Sequence, residues 1–157
     1  MKEINGDIIK TTSYNGKPVL AMCVTTNGVI KKDGKAVMGA GVAKSFRDFF
    51  PSIDQILANK LKENGNVVNL LGAYQPKNKD TSISIFSFPT KHHWNEDSDI
   101  ELIKSSAKQL AKEIKSMGDG WVLLPKPGCR NGNLNWEDVK RVISPILPHN
   151  VIIISLD

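Results

Sequence analysis

Short apolar runs, each closed by turn residues, recur along the chain, and between them apolar positions repeat every three or four residues. Runs of the first kind predict buried strands. They fall at residues 19–24, 67–71, 121–124 and 151–154. The stretch 83–88 alternates Ile and Phe with Ser, which predicts a strand buried on one face. The second pattern predicts four helices. The longest covers 99–117, where Ile100, Ile103, Ala107, Leu110, Ile114 and Met117 form one stripe. Ser98 is its expected cap, with Glu101 completing a capping box. A second helix starts after Gly41, carries Val42, Phe46 and Phe49, and stops at Pro51. A third carries Ile53, Ile56, Leu57 and Leu61 and ends near Asn64 and Gly65. A fourth begins near Asn135 and carries Val139, Val142 and Ile143, with Pro145 to end or kink it. Strands alternating with helices predict a three-layer α/β/α sandwich with a mixed, largely parallel central sheet. Ligands of such sheets bind outside the carboxyl ends of the strands.

Composition narrows the class. At 157 residues the chain is expected to be one domain, spanning 1–157. Hydrophobic residues at 40% and charged residues at 24% argue against a disordered or fibrous chain. No apolar run approaches the roughly 20 residues of a membrane helix, so no membrane partner is expected. The first seven residues lack the apolar core of a secretory signal. Cys23 and Cys129 are too few for a disulfide framework and lack a metal-ligand spacing. Together these point to a reducing, cytoplasmic setting. The formal charge of +5 suits an anionic partner, a nucleotide or a nucleic acid. The lysines are scattered, however, and a solvated surface is the simpler reading of them.

Two glycine-rich loops follow predicted strands. The first holds Gly39-Ala40-Gly41-Val42-Ala43 at a helix start, where glycines let a ligand approach and free N–H groups bind phosphate. Lys44 stands where a dinucleotide fingerprint needs its third glycine, and no Walker lysine follows. The second runs from Pro125 to Asn135 and includes Gly128, Cys129, Arg130, Asn131, Gly132 and Asn133, a second candidate anion nest. Both loops are expected at one edge of the sheet, forming one cleft. No histidine adjoins Cys129, which reads as structural, and Trp136 reads as core. Asp7, after Gly6, reads as a turn residue or an acceptor for an exocyclic amine. A third loop packs Lys91, His92, His93 and Trp94 at a strand exit. Adjacent histidines point apart, so no metal site is expected. Lys91 by itself reads as a surface cation, a fixed charge or a nucleophile.

Five segments in this order give the chain a resemblance to the macrodomains, the ADP-ribose-binding fold. They are Gly6-Asp7-Ile8, a strand ending near Asn27, Gly39-Ala40-Gly41-Val42-Ala43, Phe88-Pro89-Thr90-Lys91-His92-His93-Trp94, and Pro127-Gly128-Cys129-Arg130-Asn131-Gly132-Asn133-Leu134-Asn135-Trp136. The chain is most similar to the ADP-ribose 1''-phosphate phosphatase-like branch and to the branch of terminal ADP-ribose glycohydrolases and antitoxins that strip ADP-ribose from DNA. The resemblance implies that Asp7 contacts the adenine amine, with the Ile8 backbone beside it. It implies Asn27 near the distal ribose, and Gly39, Ala40, Gly41 and Val42 around the diphosphate and distal ribose. The loop from Gly128 to Asn133 is implied as the second phosphate loop. Lys91 matches the lysine used at the anomeric carbon of the distal ribose. Two departures stand out. Gly132 occupies the place of the catalytic aspartate, and residues 28–35 lengthen the first loop with added positive charge, read as a solvated tip.

The leading expectation is therefore a monomeric hydrolase, without a cofactor, that acts at C1'' of ADP-ribose or of an ADP-ribosylated protein or DNA. Lys91 is its nucleophile or electrostatic clamp, Asn27 orients ribose or water, and His92 or His93 is the general acid. The alternative is a non-catalytic reader of ADP-ribose or a related nucleotide signal. A third reading is a nucleic-acid-associated protein that uses the basic surface.

Overall fold

The computed structural model describes residues 1–156. Its strands are β1 (Lys2–Asn5), β2 (Ser13–Tyr14), β3 (Lys17–Thr26), β4 (Leu70–Tyr74), β5 (Ile83–Pro89), β6 (Trp121–Leu124) and β7 (Val151–Ser155). Its helices are α1 (Gly41–Phe49), α2 (Ile53–Asn64), α3 (Ile100–Ile114) and α4 (Trp136–Ile143). The main path across the sheet is β1-β7-β6-β3-β5-β4, with β2 paired to the start of β3. Every pair from β1 to β5 on that path is parallel, while β4 on β5 and β2 on β3 are antiparallel.

Alternation along the central strands divides the interior between two faces. Met22 and Val24 of β3 join a core with Leu123, Ile152, Phe46 of α1 and Leu57 of α2. Cys23, between them, joins the opposite core with Val122, Ile153, Ile103 and Leu110 of α3, and Ile143 of α4. Helices on both faces make the predicted three layers. Because β3 runs parallel to β5 and β6, the loops after all three strands leave the sheet at one rim.

Several elements differ from expectation. The cap of α3 is Asp99, not Ser98: Asp99 Oδ1 accepts from the N–H groups of Glu101 at 2.9 Å and Leu102 at 3.4 Å. Ser98 is instead buried beside the cleft described below. The helix stops at Ile114, since the Met117 N–H bonds back to Ile114 O and tightens the chain into a turn. The run at 67–71 enters the sheet three residues late. Gln109 Oε1 takes the Val68 N–H and Ser87 Oγ takes the Asn69 N–H, so side chains replace a strand partner there. β5 is interior and covered on both faces, including Ser87, whose hydroxyl is satisfied by these contacts with the 67–69 segment. β1 carries mostly exposed residues and has no apolar pattern to betray it.

Gly120, just before β6, has no room for a side chain. A Cβ there would lie 2.6 Å from Pro18 O and 2.5 Å from Leu20 Cγ. Gly120→Ala is expected to destabilise the fold by about 1–3 kcal/mol, through the overpacking cost of one methyl against backbone. Urea denaturation of the two proteins measures this as a shift in midpoint at constant slope.

Candidate functional site

Loops from the ends of β1, β3, β5, β6 and β7 surround one cleft of about 1090 Å³. Its wall includes Asp7, Asn27, Gly39, Ala40, Gly41, Val42, Lys91, Trp94, Gly128, Cys129, Arg130, Asn131, Gly132, Asn133 and Trp136. Each glycine loop contributes, and they meet as their order in the chain suggested.

The first loop is pinned by Asn27. Its Oδ1 accepts from the Val29 N–H at 3.1 Å and its Nδ2 donates to Val37 O at 3.3 Å. Residues 28–36 thereby project as a small hairpin closed by an Ile30–Ala36 bridge. Lys31, Lys32 and Lys35 are exposed at its tip, with Lys31 paired to Asp33 at 3.6 Å. Beyond the hairpin, α1 begins at Gly41 with Ala40 as its cap residue. No side chain caps this end and no acidic residue stands in the first turn. The first N–H groups of the helix therefore lack an intrahelical or side-chain acceptor, in a wall formed by Gly41, Val42 and Ala43. That is the electrostatics of an anion site.

The second loop is shaped by close packing. Gly128 has φ +75°, and a Cβ on it would press within 2.8 Å of Ile103 Cδ1. A Cβ on Gly132 would collide with Ser98 Oγ and lie 2.5 Å from Gly128 O. No side chain fits at residue 132, so this loop offers backbone rather than a carboxylate. The two loops meet where Gly41, at φ +59°, faces Asn131: a Cβ on Gly41 would be 3.1 Å from Asn131 Nδ2.

Lys91 ties the third loop to the second. Its Nζ donates to Asn131 O at 2.9 Å and to Trp94 O at 3.3 Å. Of the two histidines expected as a general acid, neither His92 nor His93 is among the residues that line the cleft. His92 Nε2 lies 2.8 Å from Asp99 Oδ2, on the cap of α3. That contact, followed by the Glu101 and Leu102 N–H groups, holds the Asp99 carboxyl below its usual range. His93 Nδ1 accepts from the Asn95 N–H, and its ring rests beside Trp94. Both rings are engaged in contacts within their own loop and the α3 cap.

Asp7 Oδ1 accepts from the Ile9 N–H at 3.0 Å, and the Ile8 side chain is buried in the core below. Cys129 Sγ donates to Pro127 O at 3.3 Å, and burial pushes its thiol up to about 11. Trp136 packs against the α3–α4 core and is also a wall of the cleft. As the first residue of α4 it half-emerges, its Nε1 donates to Glu3 Oε1 at 2.7 Å, and Lys126 Nζ sits 5.7 Å from its ring centre. Lys140 first, with help from Trp136, holds the Glu3 carboxyl below its usual range. Trp94, Trp136, Ser98 and Lys126 are wall residues that pattern reading did not assign. The indole signal was present in both loops, but period alone does not separate a wall from a core.

Lys91, Lys126 and Arg130 face a single acidic wall residue, Asp7, among the described residues. Such a basic, backbone-lined cleft suits a diphosphate joined to a group that accepts from or donates to Asp7 and Ile8. Among the described residues no three His, Cys, Asp or Glu side chains gather as metal ligands. No helix among them is long and apolar enough to cross a membrane.

No protein-family profile matches the chain. Over 131 residues, 83% of its length, it is 34% identical to a DNA ADP-ribosyl glycohydrolase of Thermus aquaticus. The chain spans about a third of the length of the curated relatives it matches. The solved macrodomain of Thermus aquaticus DarG superposes with a TM-score of 0.71 at 29% identity, covering 99% of this chain and 97% of that one. Thermosipho africanus DarTG in complex with ADP-ribose superposes with a TM-score of 0.75 at 22% identity, covering 98% of this chain and 41% of that one. At that identity the second likeness speaks for the fold alone.

The raised Cys129 thiol makes a prediction about reactivity. At pH 8 its thiolate fraction is about one in a thousand, so labelling by a thiol reagent should run roughly two orders of magnitude slower than for a free cysteine. Timed labelling of native and unfolded protein checks this. Rapid native labelling of Cys129 would show an activated thiol and reopen it as a nucleophile.

Proposed function

We propose that this chain, which has the macrodomain fold, binds ADP-ribose in the cleft and hydrolyses the bond at C1'' of the distal ribose. Its carrier in this reading is modified DNA, the substrate class named for the Thermus aquaticus relative. The observation that carries the proposal is the Lys91 ammonium held between Asn131 O and Trp94 O where the two glycine loops meet.

The uncapped start of α1 and the second loop take the diphosphate, with Gly39 to Val42 on one side and Gly128 to Asn133 on the other. Asp7 and the Ile8 backbone take the adenine edge, and Asn27 faces the distal ribose. This orders the nucleotide so that C1'' lies beside Lys91. When the C1'' bond breaks, its electron pair stays on the departing atom. Water adds its hydroxyl to C1'' and its remaining hydrogen ends on the departing group. Two of the three ammonium donors of Lys91 are taken by carbonyls. The third supports the departing atom as charge builds on it, a fixed-charge effect that is strongest in a site shielded from water. Ordering the sugar against that charge supplies the rest. The two unbridged cysteines are consistent with a cytoplasmic setting that keeps thiols reduced, and we take the working unit as a monomer.

One observation favours the reader as the second reading. Residue 132 has no room for a side chain, and Asp7 is the single carboxylate of the described wall, so no acid stands across from Lys91 to activate water.

A substrate panel on the wild-type protein separates the two: ADP-ribose 1''-phosphate, ADP-ribosylated DNA and ADP-ribosylated protein, with calorimetry on ADP-ribose alongside. Turnover on at least one substrate, with DNA the favoured one, supports the hydrolase, while tight binding without product supports the reader. Lys91→Ala is expected to lower turnover by about 100-fold or more while ADP-ribose binding stays measurable. Undiminished turnover in that variant rejects the role. Borohydride trapping of a lysine–sugar adduct would replace the fixed-charge role with covalent attack.

A further inference from the structure

Trp94 is the wall residue that folding does not explain. It is 53% exposed, and it packs into neither of the two cores. Trp is highly buried on average and enriched at contact surfaces, so an indole left this open in a cleft wall is informative. Its setting is built. The Lys91 ammonium bonds to its carbonyl oxygen at 3.3 Å, so the turn carrying the indole is fastened to the residue placed at C1''. The His93 ring lies 5.5 Å from it, tilted by 33°, and supports the indole from one side. His93 is in turn held by the Asn95 N–H. The cleft that the indole lines also carries the cations Lys91, Lys126 and Arg130.

We propose that Trp94 is the stacking platform for the nucleobase that carries ADP-ribose, and so sets the preference for a nucleic-acid carrier. The inference rests on the hydrolase reading above for the position of C1''. A base bonded to C1'' stands next to Lys91, and the indole belongs to the same short turn. Stacking needs only a flat face and a polyanion-friendly rim, both of which are present. An Asp, Glu or Ser side chain at C1'' would bring no planar ring, and a polypeptide carries no row of phosphates. The His-His-Trp run, left without a role by the cleft geometry, thereby acquires one: His93 props the platform while Lys91 pins it. Trp94 acts on substrate selection and not on the bond-breaking step itself.

The test uses the full chain with an ADP-ribosylated single-stranded oligonucleotide, ADP-ribose 1''-phosphate and ADP-ribosylated peptide, for wild type, Trp94→Ala and Trp94→Phe. Trp94→Ala is expected to lower kcat/KM on the oligonucleotide by about 10- to 100-fold, mainly through KM. Its effect on kcat/KM for ADP-ribose 1''-phosphate and on ADP-ribose affinity should be at least about threefold smaller than its effect on the oligonucleotide. Trp94→Phe should restore most of the loss, because a phenyl face still stacks. An equal loss on all three substrates would mean that the indole is structural, and a larger loss on the peptide would assign the platform to a protein carrier. No loss on the oligonucleotide overturns the proposal directly. If wild type turns over none of the substrates, the hydrolase reading fails on its own. The platform is then judged by binding: wild type must hold the intact modified oligonucleotide at least tenfold tighter than ADP-ribose, and Trp94→Ala must lose that excess.

Discussion

The parallel pairing of β3 with both β5 and β6 is the constraint on which the site depends. Met22 pairs with Ile85 on one side and Leu123 on the other, so all three strands run in one direction and end at one rim. Thr26, Thr90 and Pro125 then stand at neighbouring exits. The glycine loops and the Lys91 loop have nowhere else to go. A single antiparallel strand in the middle would have sent one of them to the far end of the sheet. The antiparallel β4 lies at the edge, where it costs the cleft nothing.

Within that rim, closeness does the rest. Gly41 and Asn131 come within contact, Gly128 lies tightly against Ile103, and Gly132 against Ser98 and Gly128 O with no space for a side chain. The walls so formed present main-chain groups, and an N–H group at an uncapped helix start has no competitor for an anion. The cations Lys91, Lys126 and Arg130 add to the same field. Lys91 has a double role in this packing, since the hydrogen bonds that place its ammonium also join the second and third loops. Placement of the charge and closure of the cleft are thus one event.

Much of this was legible because burial writes a pattern. The strands at 19–24, 121–124 and 151–154 and the stripe through Ile103, Ala107 and Leu110 are all core, and their order alone predicts the layers. β1 was silent because its exposed edge residues, Lys2, Glu3 and Asn5, carry no apolar signal. The late entry of β4 was hidden because Gln109 and Ser87, remote in sequence, take the hydrogen bonds of residues 68 and 69. Ser98 was the expected cap, but in the fold it is buried against Gly132 and the neighbouring Asp99 caps the helix. The position of the histidines outside the cleft lining was hidden for a similar reason. Their density at a strand exit was visible, but the partner that draws His92 away is Asp99, seven residues on. Trp136 reads as core and does pack there, but as the first residue of a helix that starts at the cleft it also lines the opening.

The same packing bears on the missing acid. A carboxylate cannot be restored by changing residue 132 alone, because Ser98 Oγ already fills the space beyond Gly132, and the Ser98 N–H donates to Gly132 O at 3.0 Å. Were one forced in, it would also set a negative charge in a wall whose cations suit a diphosphate, and it would compete with the two carbonyls for Lys91. An acid opposite the lysine and a tightly closed backbone nest are therefore alternatives at this position. This chain has the nest. On the proposed hydrolase reading, chemistry at C1'' leans on ordering the sugar and supporting the departing group, for which Lys91 and the aromatic turn beside it are suited.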